Sequence, residues 1–263
     1  MGMRLSMGIC STRVENAPVP LKAEYLCGRI LLDIPEGGVP LGKLYDTLKI
    51  LVHPFLRVKQ IEYAEPIGEE PVIFLANHLG AVGPMYMAVT FPLRDNVAIW
   101  CNEGMMEEKM IVDYVRHDWW WRAESKLASL YSATIPYIAK AIVPKVLRSA
   151  PTIAVCRDAR IMTTMRKSLA ALKEGKHIVI FPERPDGFDS HEEYLQMGWL
   201  NLAAMYQKAT GKAIKMFPVF IDVPGKTFRV GKAITADPEA PIKEQEERIE
   251  RYLAAGIRGQ QNP

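Results

Sequence analysis

The run Val72-Ile73-Phe74-Leu75-Ala76-Asn77-His78-Leu79-Gly80-Ala81-Val82-Gly83-Pro84 decides how this chain is read. Its first five residues are apolar without interruption, the pattern of a strand buried on both faces. Asn77 and His78 follow where that pattern stops and glycine-rich sequence begins. A histidine at the C-terminal end of a buried strand, facing a loop, sits where open α/β sheets hold their ligands. His78 is therefore the first candidate for a functional side chain. For one histidine taken alone, a capping or core imidazole is the competing reading, and the rest of the chain has to decide between them.

Working outward, the chain alternates strands and helices. Residues 1–38 carry scattered Pro and Gly with little periodicity and read as an irregular arm, with one strand at 29–32. Apolar residues recur at helical spacing from Leu41 to Phe55, and Pro54 marks a kink or the end of that helix. Residues 58–63 alternate as a half-buried strand does. Beyond His78, 85–91 reads as a short helix closed by Pro92, and 96–100 as a second buried strand. The section 103–150 is mostly helical, and its second part, Leu127 to Leu147, is apolar but interrupted by Lys140, Pro144 and Lys145. Strands follow at 152–156, 177–181, 214–221 and 227–230, with helices at 159–174, 190–209 and 241–255. Gly175 stands where a C-terminal glycine is expected. This alternation implies one α/β domain over 39–263, a mixed, largely parallel sheet flanked by helices, with a helical insertion at about 103–150.

Composition narrows the classes. At 263 residues with 49% hydrophobic and 24% charged residues, the chain has enough material for a full core. A net charge of +3, without a long Lys/Arg run, gives no argument for a nucleic-acid partner. Cys10, Cys27, Cys101 and Cys156 form no CxxC pair, so neither a metal site nor a disulfide framework is expected, and free thiols in a cytoplasmic protein are the simplest account. The N-terminus lacks a continuous apolar core after its charges, so no secretory signal is expected. No stretch reaches the roughly 18 uninterrupted apolar residues of a spanning helix, which leaves peripheral contact as the expected mode at a membrane.

Three loops follow buried strands: Asn77-His78, Arg157-Asp158 and Phe181-Pro182-Glu183-Arg184. Parallel neighbouring strands would bring His78, Arg157, Glu183 and Arg184 to one rim. A histidine, a carboxylate and two guanidinium groups suit a base acting on a hydroxyl beside a bound anion. The basic residues Arg160, Arg166, Lys167 and Lys173 of the following helix read as a solvated face.

The order and spacing of these segments resemble the glycerolipid acyltransferases of the PlsC-like (lysophosphatidic acid acyltransferase) superfamily. "VIFLANHLGAVGP" is similar to the first family motif, Asn-His-x-x-x-x-Asp, in its strand and its Asn-His. "IAVCRDARIMTTMRKSLAALKEGKHIVIFPE" resembles the run from the second motif to the third, of whose Phe-Pro-Glu-Gly-Thr-Arg-Ser the residues Phe181, Pro182 and Glu183 remain. "KMFPVFI", around Pro218, looks like the fourth, and the likeness spans about 58–235. The resemblance implies a single-domain glycerolipid-acyltransferase-like fold. It implies an acyl donor, acyl-CoA or acyl-carrier protein, as co-substrate and no further cofactor or metal. His78 would be the general base, with Asn77, Phe181, Pro182, Arg157 and Arg184 contacting substrate. The acceptor would be a lipid-like hydroxyl at the inner face of the membrane. Trp119, Trp120 and Trp121, between Arg116 and Arg122, then read as an interfacial anchor, or else as the core of a helical hairpin.

Two positions depart from the family. Gly83 stands where the aspartate orienting the histidine is expected, and no acidic residue occurs from Leu79 to Leu93. Losing the orienting aspartate of a Ser-His-Asp hydrolase costs roughly ten-thousand-fold in turnover. A carboxylate from another loop is therefore expected at His78: Glu183 or Asp186 first, with Asp158 behind them. In addition, Glu183-Arg184-Pro185-Asp186-Gly187 replaces Glu-Gly-Thr-Arg-Ser. Arg184 either binds an anion or pairs with Glu183 or Asp186. Besides the acyltransferase, a catalytically silent relative that binds acyl chains or lipid fits these departures, as does a thioester or lipid hydrolase.

Overall fold

The structure, a computed structural model, describes residues 41–56, 58–80, 82–117, 126–156, 160–183 and 195–260. The chain divides into two units, Met1–Gly38 and Val39–Pro263, and every described residue belongs to the second. The strand expected at 29–32 lies outside the described residues.

Helix α1 (Leu41–Val52) ends two residues before Pro54. Strand β1 (Gln60–Tyr63) leads to β2 (Val72–Ala76), which is wholly buried. Helix α2 (Val82–Thr90) begins three residues earlier than the sequence suggested. Gly83 and Pro84 read as loop, but proline is tolerated in a first helical turn, whose N–H groups have no intrahelical acceptor. Then come β3 (Val97–Asn102), the short α3 (Glu103–Met106), α4 (Ile111–His117) and α5 (Ala128–Ser149). Helix α5 runs unbroken through Pro136 and Pro144; both rings are buried, so lost backbone hydrogen bonds are offset by apolar packing. The rest of the chain supplies β4 (Thr152–Val155), α6 (Ile161–Lys173), β5 (His177–Ile180), α7 (Asn201–Thr210), β6 (Lys215–Asp222), β7 (Thr227–Val230) and α8 (Ile242–Ile257). Gly175 closes α6 at φ +83°, with Gly175 N–H on the Leu172 carbonyl and Lys176 N–H on that of Ala171, the paired bonds of a left-handed C-terminal cap.

The helix expected from residue 190 starts later among the described residues. Leu195 instead pairs with Glu183 in an isolated antiparallel bridge, and Gln196 N–H donates to the Pro182 carbonyl at 2.8 Å. Those bonds use the main chain that a helix would need.

The seven strands form one sheet in the order β1-β7-β6-β2-β5-β3-β4. From β6 to β4 all pairs are parallel; β7 is antiparallel to β6 and parallel to β1. The fold is thus α/β with a mixed, mostly parallel sheet flanked by helices. Alternation along β2 explains its two-sided burial. Ile73 and Leu75 join the core under α6, α7 and α8, while Val72, Phe74 and Ala76 join the one under α2. Helices α3, α4 and α5 share a small core of their own around Ile111, Val115 and Ala139.

Candidate functional site

Topology places the site. The chain leaves β2 through α2, on one face, toward β3; it leaves β5 through α7, on the other face, toward β6. β2 and β5 are neighbours, so their exits diverge and open a crevice beyond their C-terminal ends, the switch point where open α/β sheets bind ligands. His78 and Glu183 stand in those two exits.

Register then brings the two together. Ile73, Phe74 and Leu75 pair with Ile178, Val179 and Ile180, and the same offset sets His78 opposite Glu183. The His78 main-chain N–H donates to the Glu183 Oε2. Of the carboxylates expected to stand in at Gly83, Glu183 is therefore at His78, joined to its backbone. The Phe181 ring meets the His78 imidazole edge to face, with centroids 5.4 Å apart and planes at 84°. Glu183 is held from behind by its bridge to Leu195, whose N–H donates to Glu250 Oε1 at 2.9 Å.

Asn77 is buried and its amide reaches the neighbouring strand. Its Oδ1 accepts from Ile221 N–H at 2.7 Å and its Nδ2 donates to the Ile221 carbonyl at 3.2 Å. The side chain thus satisfies both main-chain groups of Ile221, near the end of β6.

Gly83 has a steric reason for its identity. A Cβ there would stand 2.2 Å from the His78 carbonyl oxygen and 2.8 Å from that of Asn77. The turn that makes this approach carries two successive left-handed residues, Leu79 (φ 47°) and Gly80 (φ 60°), the first a conformation that L side chains rarely adopt. Position 83 is thus taken up by close contact between α2 and the end of β2. Leu79, Val82 and Met85 leave an exposed apolar lip next to His78.

Further along the rim the structure adds residues that sequence reasoning passed over. Asn102 Oδ1 caps α3 by accepting from Gly104 N–H at 2.9 Å, and Glu103 takes Arg160 at 2.8 Å. Cys156 ends the same row beyond β4; burial, then the neighbouring Glu103, raises its thiol pKa, so it stays a thiol at neutral pH. Asn102-Glu103 follows a buried strand just as Asn77-His78 does, and that signal was available. Reading 103–150 as an insertion hid it, and Arg160 was assigned to a solvated face.

Arg157, Asp158, Arg184 and Asp186 lie outside the described residues, as do Trp119, Trp120 and Trp121. Among the described residues no group of three His, Cys, Asp or Glu side chains has metal-holding geometry. A hollow of about 310 Å³ lies at the opposite, N-terminal ends of the strands, lined by Tyr45, Lys49, Arg94 and Asp95. Lys49 is paired within it, on Asp95 at 2.8 Å and on Asp46 at 3.4 Å, while Arg94 Nε is buried with no hydrogen-bond partner among the described residues; the hollow is lined by no histidine, so the switch-point crevice is the candidate for proton transfer.

Comparison with known proteins adds no name to this geometry: the chain matches no protein-family model, no curated protein and no solved structure.

Proposed function

We propose that the protein is a PlsC-like acyltransferase that moves an acyl chain from acyl-CoA or acyl-carrier protein to the hydroxyl of a lipid-like acceptor. The observation that carries this reading is His78 in the switch-point crevice with Glu183 of the adjacent strand end bonded to its main chain. The His78 imidazole takes the acceptor's hydroxyl proton as the oxygen attacks the thioester carbonyl. The tetrahedral adduct then collapses, the C–S bond breaks, and the imidazolium returns the proton to the leaving thiolate. Histidine is the side chain most often used for such paired proton transfers. Glu183 acts as a positioning residue, fixing the main chain from which the imidazole hangs. Arg157 and Arg184 remain assigned from the sequence, as contacts to an anionic part of a substrate, and Asp186 as a further carboxylate that could stand in for the missing aspartate. The reaction is placed at the inner face of a membrane, with peripheral contact through Trp119, Trp120 and Trp121. No helix among the described residues is long and apolar enough to cross a membrane.

A second reading has an observation of its own. The packing of Gly83 against the carbonyls of Asn77 and His78 removes the site of the orienting aspartate, which suits a silent relative that binds acyl chains or lipid. One experiment separates these readings. Thioester turnover is measured over a panel of acyl-CoAs and acyl-carrier proteins, with and without alcohol and lipid acceptors, in wild type, His78→Ala and Glu183→Gln. The acyltransferase reading expects acceptor-dependent turnover that falls by a factor of roughly 10² to 10⁴ in His78→Ala. Glu183→Gln keeps an oxygen for the His78 N–H and loses less. Turnover without acceptor marks a hydrolase; acyl binding without turnover marks the silent relative.

A further inference from the structure

We propose that the outward face of α5 is a docking surface for a bilayer containing anionic lipid. This deepens the membrane-surface reading above and rests on it for its biological sense, but its residues are different ones and lie away from His78.

Helix α5 is apolar on two sides. Its inward side buries Pro136, Ala139 and Pro144, with Ile135 and Val143 against the small core of α3 and α4. The outward side of a surface helix is ordinarily polar. Here Leu130, Tyr137, Ile138 and Ile142 are 55%, 56%, 59% and 48% exposed, and Leu127, just before the helix, is 50% exposed. At roughly 100° per residue these five fall on one side of the helix axis. The strip runs from Leu127 to Ile142, about 22 Å at 1.5 Å per residue.

Charge selects the occupant. The 22 residues of α5 contain no Asp or Glu; the charges are Lys140, Lys145 and Arg148. Arg148 is engaged with the Met106 carbonyl at 2.7 Å. Lys126, Lys140 and Lys145 are exposed, and none forms an ion pair with a carboxylate of a described residue. The same domain shows how its sequence solvates a helix: α8 exposes Lys243, Glu244, Glu247, Arg248 and Arg251, cations and carboxylates mixed. A helix with aliphatic and tyrosine side chains outward, lysines among them and no carboxylate complements an anionic lipid surface. A second copy of the same face would set lysine against lysine, which disfavours self-association as the occupant.

The test uses the whole chain and vesicles, with no acyl donor present. Flotation is measured with phosphatidylcholine vesicles with and without phosphatidylglycerol, at low and high salt. Binding is expected only with phosphatidylglycerol and should weaken with salt over the range in which surface charges become screened. Lys140→Gln with Lys145→Gln should lower partitioning by about 25-fold, roughly fivefold for each lysine. Leu130→Ser with Ile138→Ser should lower it at least about tenfold. All four side chains are exposed, so circular dichroism and melting should stay as in wild type. No binding to anionic vesicles, or binding that survives both double variants, would overturn the proposal. So would self-association that Ile138→Ser abolishes in a chain that ignores vesicles, since α5 would then cover a second copy. Vesicle binding without thioester turnover leaves this inference standing and removes the acyltransferase; turnover on a soluble acceptor without vesicle binding does the reverse.

Discussion

Replacing Gly83 with alanine adds one carbon atom at the tightest contact around His78, and the structure allows its cost to be worked out. The new Cβ would lie 2.2 Å from the His78 carbonyl oxygen and 2.8 Å from that of Asn77. Carbon and carbonyl oxygen ordinarily approach to about 3.3 Å, so the worse overlap is about 1 Å. Neither neighbour is a flexible side-chain end. Both are main chain, at the exit of a strand buried on both faces. Overpacking of this kind costs about 3 kcal/mol. The gain of alanine over glycine within a helix returns about 1 kcal/mol. The net is about 2 kcal/mol, which in a domain of this size lowers the melting temperature by about 4–8 °C. Gly83→Asp should do at least as badly, because its carboxylate enters beside two carbonyl oxygens, and it should not raise acyl transfer. Thermal and urea unfolding of wild type, both variants and Gly68→Ala would measure this. Gly68 has nothing within 4 Å of an added Cβ and serves as the control. A Gly83→Ala protein as stable as wild type, or more so, would refute the steric argument. A stable Gly83→Asp with faster transfer would show that the missing aspartate is an ordinary lost catalytic group.

Two further perturbations probe the frame around the site. Asn77→Leu removes both bonds to Ile221 and leaves the Ile221 N–H buried without its partner, which should cost about 2–3 kcal/mol in urea unfolding; no loss would mean that the amide pair is incidental. His177 is buried, its Nδ1 accepts from Val72 N–H at 3.2 Å, and burial holds its pKa below the ordinary 6.5. Below about pH 6.5 the unfolded chain takes up a proton that the folded chain refuses. Its contribution is therefore complete above that pH and shrinks as pH falls, by at most about 1.4 kcal/mol per pH unit. The urea midpoint should drop between pH 7.5 and 5.5, and less so in His177→Gln; parallel profiles for the two proteins would exclude His177 as the source.

What could be read in the sequence was what depends on local pattern. The uninterrupted apolar runs at 72–76 and 177–180 and the alternation at 227–230 are strands, and the largely parallel sheet follows from helices between them. Where local and long-range demands compete, the reading slipped. Gly83 and Pro84 look like loop residues, yet they occupy the one helical turn that tolerates proline. Leu195 follows a segment of helical composition, yet pairs with Glu183. At the site, His78 and Glu183 were legible because each follows a buried strand, and their meeting needed only that those strands be neighbours. Asn77 was expected to contact substrate. Its partner, Ile221, lies on a strand whose position beside β2 no local spacing reveals.

The end of β2 carries a consequence for how this scaffold can vary. On one side the strand is finished by the amide of Asn77, on the other by the carboxylate of Glu183, so two side chains take over the work of the ladder where the main chain departs. The main chain of His78 is thus held by a residue at the exit of the neighbouring strand, and the strand end beneath it is tied to β6. His78 is thereby a fixed point at the edge of the sheet. The segments after β3 and β4 supply none of these bonds, so they can be lengthened, shortened or recomposed while the end of β2 keeps its geometry.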